Sequence, residues 1–181
     1  MKSFMFVCAV VLVVGLTSMA NAQATSTTAV SALTITPAGA GIAVGNVDCD
    51  VTDVVRGLHY TVIFDAVGGA SVIFPADQGE ATTDLGFDIT GDPGQNVLVN
   101  FTLPTSLTGT AGTIPVSFGP SSGVRVEDGA LFNPNVSNTF NTGTGAAISL
   151  RLGFDFTVPA NALSGDTYAG TVLCTASYTG I

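Results

Sequence analysis

Few residues in this chain could do chemistry. His59 is the only histidine. It stands between Leu58 and Tyr60 in a segment that alternates like a strand, so it faces away from their apolar side. Metal sites built on nitrogen or sulfur need several His and Cys converging, and one histidine beside two cysteines makes no such set. The stretch Gly119-Pro120-Ser121-Ser122-Gly123 matches the G-x-S-x-G string of serine hydrolases. That chemistry requires a strand before the serine, a helix after it and a histidine later in the chain. Here Val124, Arg125 and Val126 follow in strand-like alternation and His59 lies upstream, so the stretch reads as a turn. Lys2 is the only lysine, so serine-lysine chemistry has no base after the first residues.

Acids are more plentiful. Asp48, Asp50 and Asp53 surround Cys49, and Asp77, Glu80, Asp84 and Asp88 form a second acidic stretch. Calcium takes six to eight oxygens, and neither stretch has the spaced D-x-D-x-D-G…E order that supplies them, so both read as solvated loops. A carboxylate pair for glycoside hydrolysis is defined by a separation that only the fold sets. With no Trp and three Tyr, aromatic surface for stacking on sugars is scarce. Asn100-Phe101-Thr102 and Asn135-Val136-Ser137 fit the N-glycosylation string, which matters only on a eukaryotic secretory route, and both are read as unmodified. No catalytic, cofactor-binding or metal-binding residue is assigned, and a non-enzymatic role is expected.

The elements that would position any site begin with an export signal. Met1-Lys2-Ser3 precedes an apolar run from Phe4 to Leu16, and Ala20-Asn21-Ala22 supplies the small-residue cleavage pattern. The run is short of the roughly 18 to 20 residues that span a bilayer. Residues 1–22 therefore read as a signal peptide cleaved after Ala22, with an uncleaved anchor as the alternative. The protein is expected outside the inner membrane, in the periplasm, on the outer surface or free. After residue 22 the chain keeps Arg56, Arg125 and Arg151 against all 13 acids. Phosphate backbones are bound by clusters of Lys and Arg, so nucleic acid is excluded as a partner, and acidic membrane surfaces with it.

Cys49 and Cys174 remain after cleavage, in a compartment where thiols are usually oxidised. One disulfide is the economical reading. Closing a loop of about 125 residues is worth ~4 to 5 kcal/mol by chain entropy. Two buried free thiols acting as small apolar groups are the alternative.

Helix is disfavoured by 22 Gly and 8 Pro spread along the chain. The longest stretch free of both after the signal is residues 23–36, and it begins Gln23-Ala24-Thr25-Ser26-Thr27-Thr28. The other segments are short and rich in Val, Ile, Thr and Phe. Ile148, Leu150, Leu152, Phe154, Phe156 and Val158 share one face of the clearest alternation. Leu58, Tyr60, Val62 and Phe64 share another, as do Val97, Val99, Phe101 and Leu103. Turns punctuate them at Gly68-Gly69, Gly91-Asp92-Pro93-Gly94, Asp128-Gly129, Asn133-Pro134 and Ser164-Gly165-Asp166. The spacing predicts an all-β, two-sheet antiparallel sandwich of about eight to ten strands over residues 37–181, with a closed barrel as the alternative. Residues 23–36 are low in complexity and become strand-like from Val30 to Thr36. They form either an ordinary edge strand or a segment able to pair with a neighbour's sheet edge.

Two stretches carry a family resemblance. One runs from Gly68-Gly69-Ala70-Ser71-Val72-Ile73-Phe74-Pro75 into Phe87-Asp88-Ile89-Thr90-Gly91-Asp92-Pro93-Gly94. The other runs from Phe156-Thr157-Val158-Pro159-Ala160-Asn161 into Gly165-Asp166-Thr167-Tyr168-Ala169-Gly170-Thr171-Val172 and closes at Tyr178. Together they resemble a family of secreted bacterial β-sandwich domains of unknown function that looks pilin-like. The closing strand is similar to those of spore coat protein U and chaperone-usher fibre subunits. The resemblance covers about residues 60–178 and implies an Ig-like sandwich that polymerises by strand exchange. The expectation is an exported surface or fibre component that self-associates or joins related subunits. A monomeric module binding calcium or glycans is the alternative.

Overall fold

The computed structural model describes residues 25–28, 32–33, 42–65, 69–81, 83–110, 112–145, 147–162 and 165–179. The signal-peptide reading of residues 1–22 lies outside them, as does most of residues 29–41. The described residues contain strands and turns and no helix, in seventeen strands numbered β1 to β17 in chain order. Short strands outnumber the eight to ten expected because glycines and turns interrupt what the alternation suggests are continuous runs.

All sheets are antiparallel. The first orders β14 (Asn138–Asn141), β9 (Asn96–Thr102), β17 (Leu173–Tyr178), β1 (Thr25–Thr28) and β2 (Ala32–Leu33). The second orders β13 (Leu131–Phe132), β12 (Gly123–Arg125), β15 (Ala147–Leu152), β8 (Gly86–Thr90) and β3 (Ala43–Val47). The third orders β10 (Ser106–Gly109), β11 (Gly112–Ser117), β16 (Phe154–Thr157), β5 (His59–Asp65) and β6 (Ala70–Phe74). A two-stranded ribbon pairs β4 (Val51–Thr52) with β7 (Glu80–Ala81). Among the described residues the architecture is sandwich-like, without a closed barrel.

Alternation along the strands builds two cores. The first lies between sheets one and two, where Val97, Val99, Cys174 and Ala176 meet Val44, Phe87, Ile89, Ile148, Leu150 and Leu152. The second lies on the inner face of sheet three and gathers Tyr60, Val62, Ile73, Ile114, Val116, Phe154 and Phe156. Tyr60 and Phe156 stack there with ring centroids 5.1 Å apart. The Tyr60 hydroxyl is not wasted by burial, because it donates to Gln78 O at 2.8 Å and accepts from Val55 N at 2.7 Å.

The run from Ile148 to Val158 keeps one apolar face, as its alternation predicts, yet it serves both cores. β15 ends in the first and β16 begins in the second, with Gly153 between them. A Cβ on Gly153 would stand 2.5 Å from Val62 O and 3.2 Å from Ile63 Cα. Only hydrogen fits this approach of two backbones. The junction is pinned by Gly153 N donating to Ser122 O and Leu152 N to Leu85 O, both at 2.7 Å.

The two stretches that carry the resemblance touch where the chain closes. Asp92 N donates to the Tyr178 hydroxyl at 2.7 Å, and a Cβ on Gly91 would lie 2.7 Å from that same oxygen. Thr142, only 2 % exposed, fixes the rest of the turn by donating to Asp92 O at 2.6 Å and accepting from Gln95 N at 3.0 Å. Tyr178→Phe is therefore expected to lower stability by about 1–2 kcal/mol, the cost of leaving a part-buried N–H without its acceptor. Urea unfolding measures it, and a change below about 0.3 kcal/mol would show the turn standing without the hydroxyl.

Candidate functional site

Two places are candidate sites. The first is the edge of sheet one. β17 pairs with β9 on one side and β1 on the other, in the register Thr25↔Ser177, Ser26↔Ala176, Thr27↔Thr175 and Thr28↔Cys174. β1 turns back into β2, and both lie against β3, the edge strand of sheet two. Of the segment 23–36 singled out in the sequence, the described parts are thus strands, paired with β17 and with each other. The side of β17 opposite β9 is completed within the chain by β1, the first of the described strands.

The second place is a slot of about 1250 Å³. Its two walls are the strips 46–56 and 165–172, and its floor is the inner face of sheet three, with Leu107, Val116, Phe118, Phe154 and Phe156 among the lining. The wall 46–56 carries the end of β3 and the short β4, whereas most of 165–172 is loop. Asp48, Asp50, Asp53 and Asp166 line it, and Arg56 is the single cation that does. Asp53 adopts φ 59°, a left-handed conformation that short polar residues tolerate best.

The residues weighed in the sequence fall as follows. His59 is exposed. Its Nδ1 lies 3.0 Å from Thr157 Oγ1 and its Nε2 3.7 Å from Asp155 Oδ1, across the β5–β16 pair. The Gly119–Gly123 string is a turn in which Ser122 Oγ donates to Gly119 O at 2.9 Å, and the strand β12 follows it. Among the described residues no three His, Cys, Asp or Glu gather in a way that could hold a metal ion.

The two acidic stretches do meet. Thr83 Oγ1 donates a short hydrogen bond to Asp48 O and accepts from Asp50 N at 3.3 Å. The later acids have other duties: Arg151, with a side chain 13 % exposed, lies 2.9 Å from Asp88 and 3.5 Å from Asp84. Asp84 also accepts from Ser71 Oγ at 2.9 Å. Arg125 grips Asp128 through Nε at 2.8 Å and a second, shorter contact, and this bond holds the Asp128 carboxyl down to about 2. Arg56 Nη1 donates to Ala162 O at 3.1 Å.

The expected Cys49–Cys174 disulfide is not formed: both cysteines are free. Cys174 is fully buried in the first core, whereas Cys49 is half-buried against the second. Burial pushes each thiol up to about 12, helped at Cys49 by the nearby carboxylates of Asp50 and Asp84.

No helix among the described residues is long and apolar enough to cross a membrane. The fold and the site together define an all-β, sandwich-like protein with a strand-closed edge and an acid-lined slot. No protein-family model, curated protein or solved structure matches the chain.

Proposed function

We propose that this chain is an exported structural or surface protein whose subunits assemble by strand addition, with residues 23–36 as the added segment. One observation carries the reading: β1 pairs with β17 through four residue pairs and lies against β3, the edge strand of sheet two. A strand held this way makes the same hydrogen bonds whether it comes from its own chain or from a neighbour. Exchange therefore changes connectivity at little cost in bonding. The absence of lysine after residue 2 supports it, because lysine on edge strands is a common guard against pairing between molecules. The resemblance to pilin-like secreted domains points the same way.

The test uses the mature chain recovered from its native compartment, by size-exclusion chromatography with light scattering. Full-length protein is expected to form large or ladder-forming species. A variant lacking residues 24–36 is expected to be monomeric and to take up a synthetic peptide of those residues. A clean monomer from the full-length chain, or assembly unchanged by the deletion, would overturn the proposal.

A further inference from the structure

We infer that the turn joining β8 to β9 is a self-cleavage site, at which the Asp92 carboxylate cuts the peptide bond between Asp92 and Pro93. The turn Gly91-Asp92-Pro93-Gly94 places an acid directly before a proline. An aspartate side chain can close a succinic anhydride ring on its own main-chain carbonyl carbon, so nucleophile and target arrive already joined. Proline supplies the leaving group: its nitrogen bears no hydrogen, and the tertiary amide it forms breaks to a basic secondary amine.

Three observations set this bond apart from an ordinary turn. The first is the carbonyl. Asp92 O accepts from Thr142 Oγ1 at 2.6 Å, and Thr142 is only 2 % exposed. Gln95 N donates to that same hydroxyl at 3.0 Å, which strengthens the bond the hydroxyl gives. A buried donor fixed on the oxygen stabilises the negative charge that gathers there as the carboxylate attacks. The second is the backbone on either side. Asp92 N donates to the Tyr178 hydroxyl and Gly94 N to Gly143 O, both at 2.7 Å, and these bonds hold the scissile bond in place. The third is the nucleophile. Asp84, Asp88 and Asp128 are engaged by arginines, whereas among the described residues the Asp92 side chain makes no hydrogen bond or ion pair. Pro93 is exposed, so a proton from solvent reaches its nitrogen.

The step balances without a cofactor. One carboxylate oxygen bonds to the Asp92 carbonyl carbon, the bond from that carbon to Pro93 N breaks, and the nitrogen's electron pair takes a proton from solvent. Residue 92 is left as the cyclic anhydride, which water opens to a C-terminal aspartate. No lysine follows Lys2 to compete with that water. The two pieces stay together, because the β1–β17, β5–β16 and β8–β15 pairs cross the cut.

The test is mass spectrometry of the mature protein held at about pH 5 with protease inhibitors, beside the same protein in concentrated urea at that pH. Expected are two fragments, residues 23–92 and 93–181, that elute as one species until denaturant is added. The native rate should be at least tenfold that in urea, where Thr142 no longer holds the carbonyl. Thr142→Ser keeps the hydroxyl and should cleave within about threefold of the unsubstituted protein, Thr142→Val at least tenfold more slowly and Asp92→Asn not at all. Hydroxylamine should capture the anhydride as a hydroxamate on residue 92. Cleavage no faster in the native chain than in urea, equal rates for the Ser and Val variants, or cleavage of Asp92→Asn at the unsubstituted rate would overturn the inference. A native chain that stays intact at every pH at which it remains folded would do the same.

Discussion

Gly153→Ala is expected to lower stability by about 3–4 kcal/mol, a large share of the ~5–15 kcal/mol that holds a typical domain together. The methyl group would meet Val62 O at 2.5 Å and Ile63 Cα at 3.2 Å, and both are backbone atoms of β5, the strand paired alongside β16. A side chain could rotate away from such an intrusion, but a paired backbone has to move its whole strand. β5, the strand concerned, pairs on both sides with β16 and β6. Gly119→Ala is the control, since nothing lies within 4 Å of a Cβ built there. It should change stability by no more than about 0.5 kcal/mol. Urea unfolding of both variants is the measurement, and equal midpoints would show that the two strands do not pass as closely as described.

The two thiols give the second large effect. With Cys49 and Cys174 pushed up to about 12, native protein at pH 8 should hold roughly a thousandth of the thiolate of an unperturbed cysteine. Alkylation of the native chain should slow to match. In denaturant without reductant Cys49 and Cys174 should both react. Finding none would mean that they are bonded after all.

The same shifts fix a pH dependence. Each thiol binds its proton more tightly folded than unfolded, so between about pH 9 and about 12 the unfolded chain carries fewer protons than the native one. Stability is accordingly full below the ordinary thiol range and falls as pH rises through that window. Cys174→Ala should flatten this alkaline limb, at the cost of some packing at every pH. A limb of unchanged slope in that variant would remove Cys174 as its source.

Much of the fold was legible because burial follows alternation. Tyr60, Val62 and Phe64, Val97 and Val99, and the whole row from Ile148 to Val158 are buried as their spacing indicates. What alternation does not encode is which layer faces a strand. The run 148–158 shows one continuous apolar face, and nothing in it says that the face is divided between two cores at Gly153. Leu58, Phe101 and Leu103 were grouped with buried neighbours but lie half-buried at the margins of those cores.

The slot was illegible for a related reason. Its walls come from residues 46–56 and 165–172, more than a hundred positions apart, and only the folded chain brings them together. Asp48, Asp50 and Asp53 could be noticed as a cluster, yet their relation to Phe154 and Phe156 could not. Cysteine count and compartment suggested a bond between Cys49 and Cys174. The division of the interior into two clusters, one for each cysteine, is a property of packing that a count does not contain.

The place of β17 carries a consequence for how the chain reaches its folded state. The strand nearest the C-terminal end lies between β9 and β1, whose partners sit up to 152 positions away, as Ser177 does from Thr25. Such pairings form slowly, because a long loop must close before any bond repays it. A chain threaded through a membrane with its N-terminal end first would expose β1 and β9 long before the strand that joins them emerged. Sheet one would stay incomplete until Leu173–Tyr178 arrived, and the polypeptide would remain pliable throughout its passage.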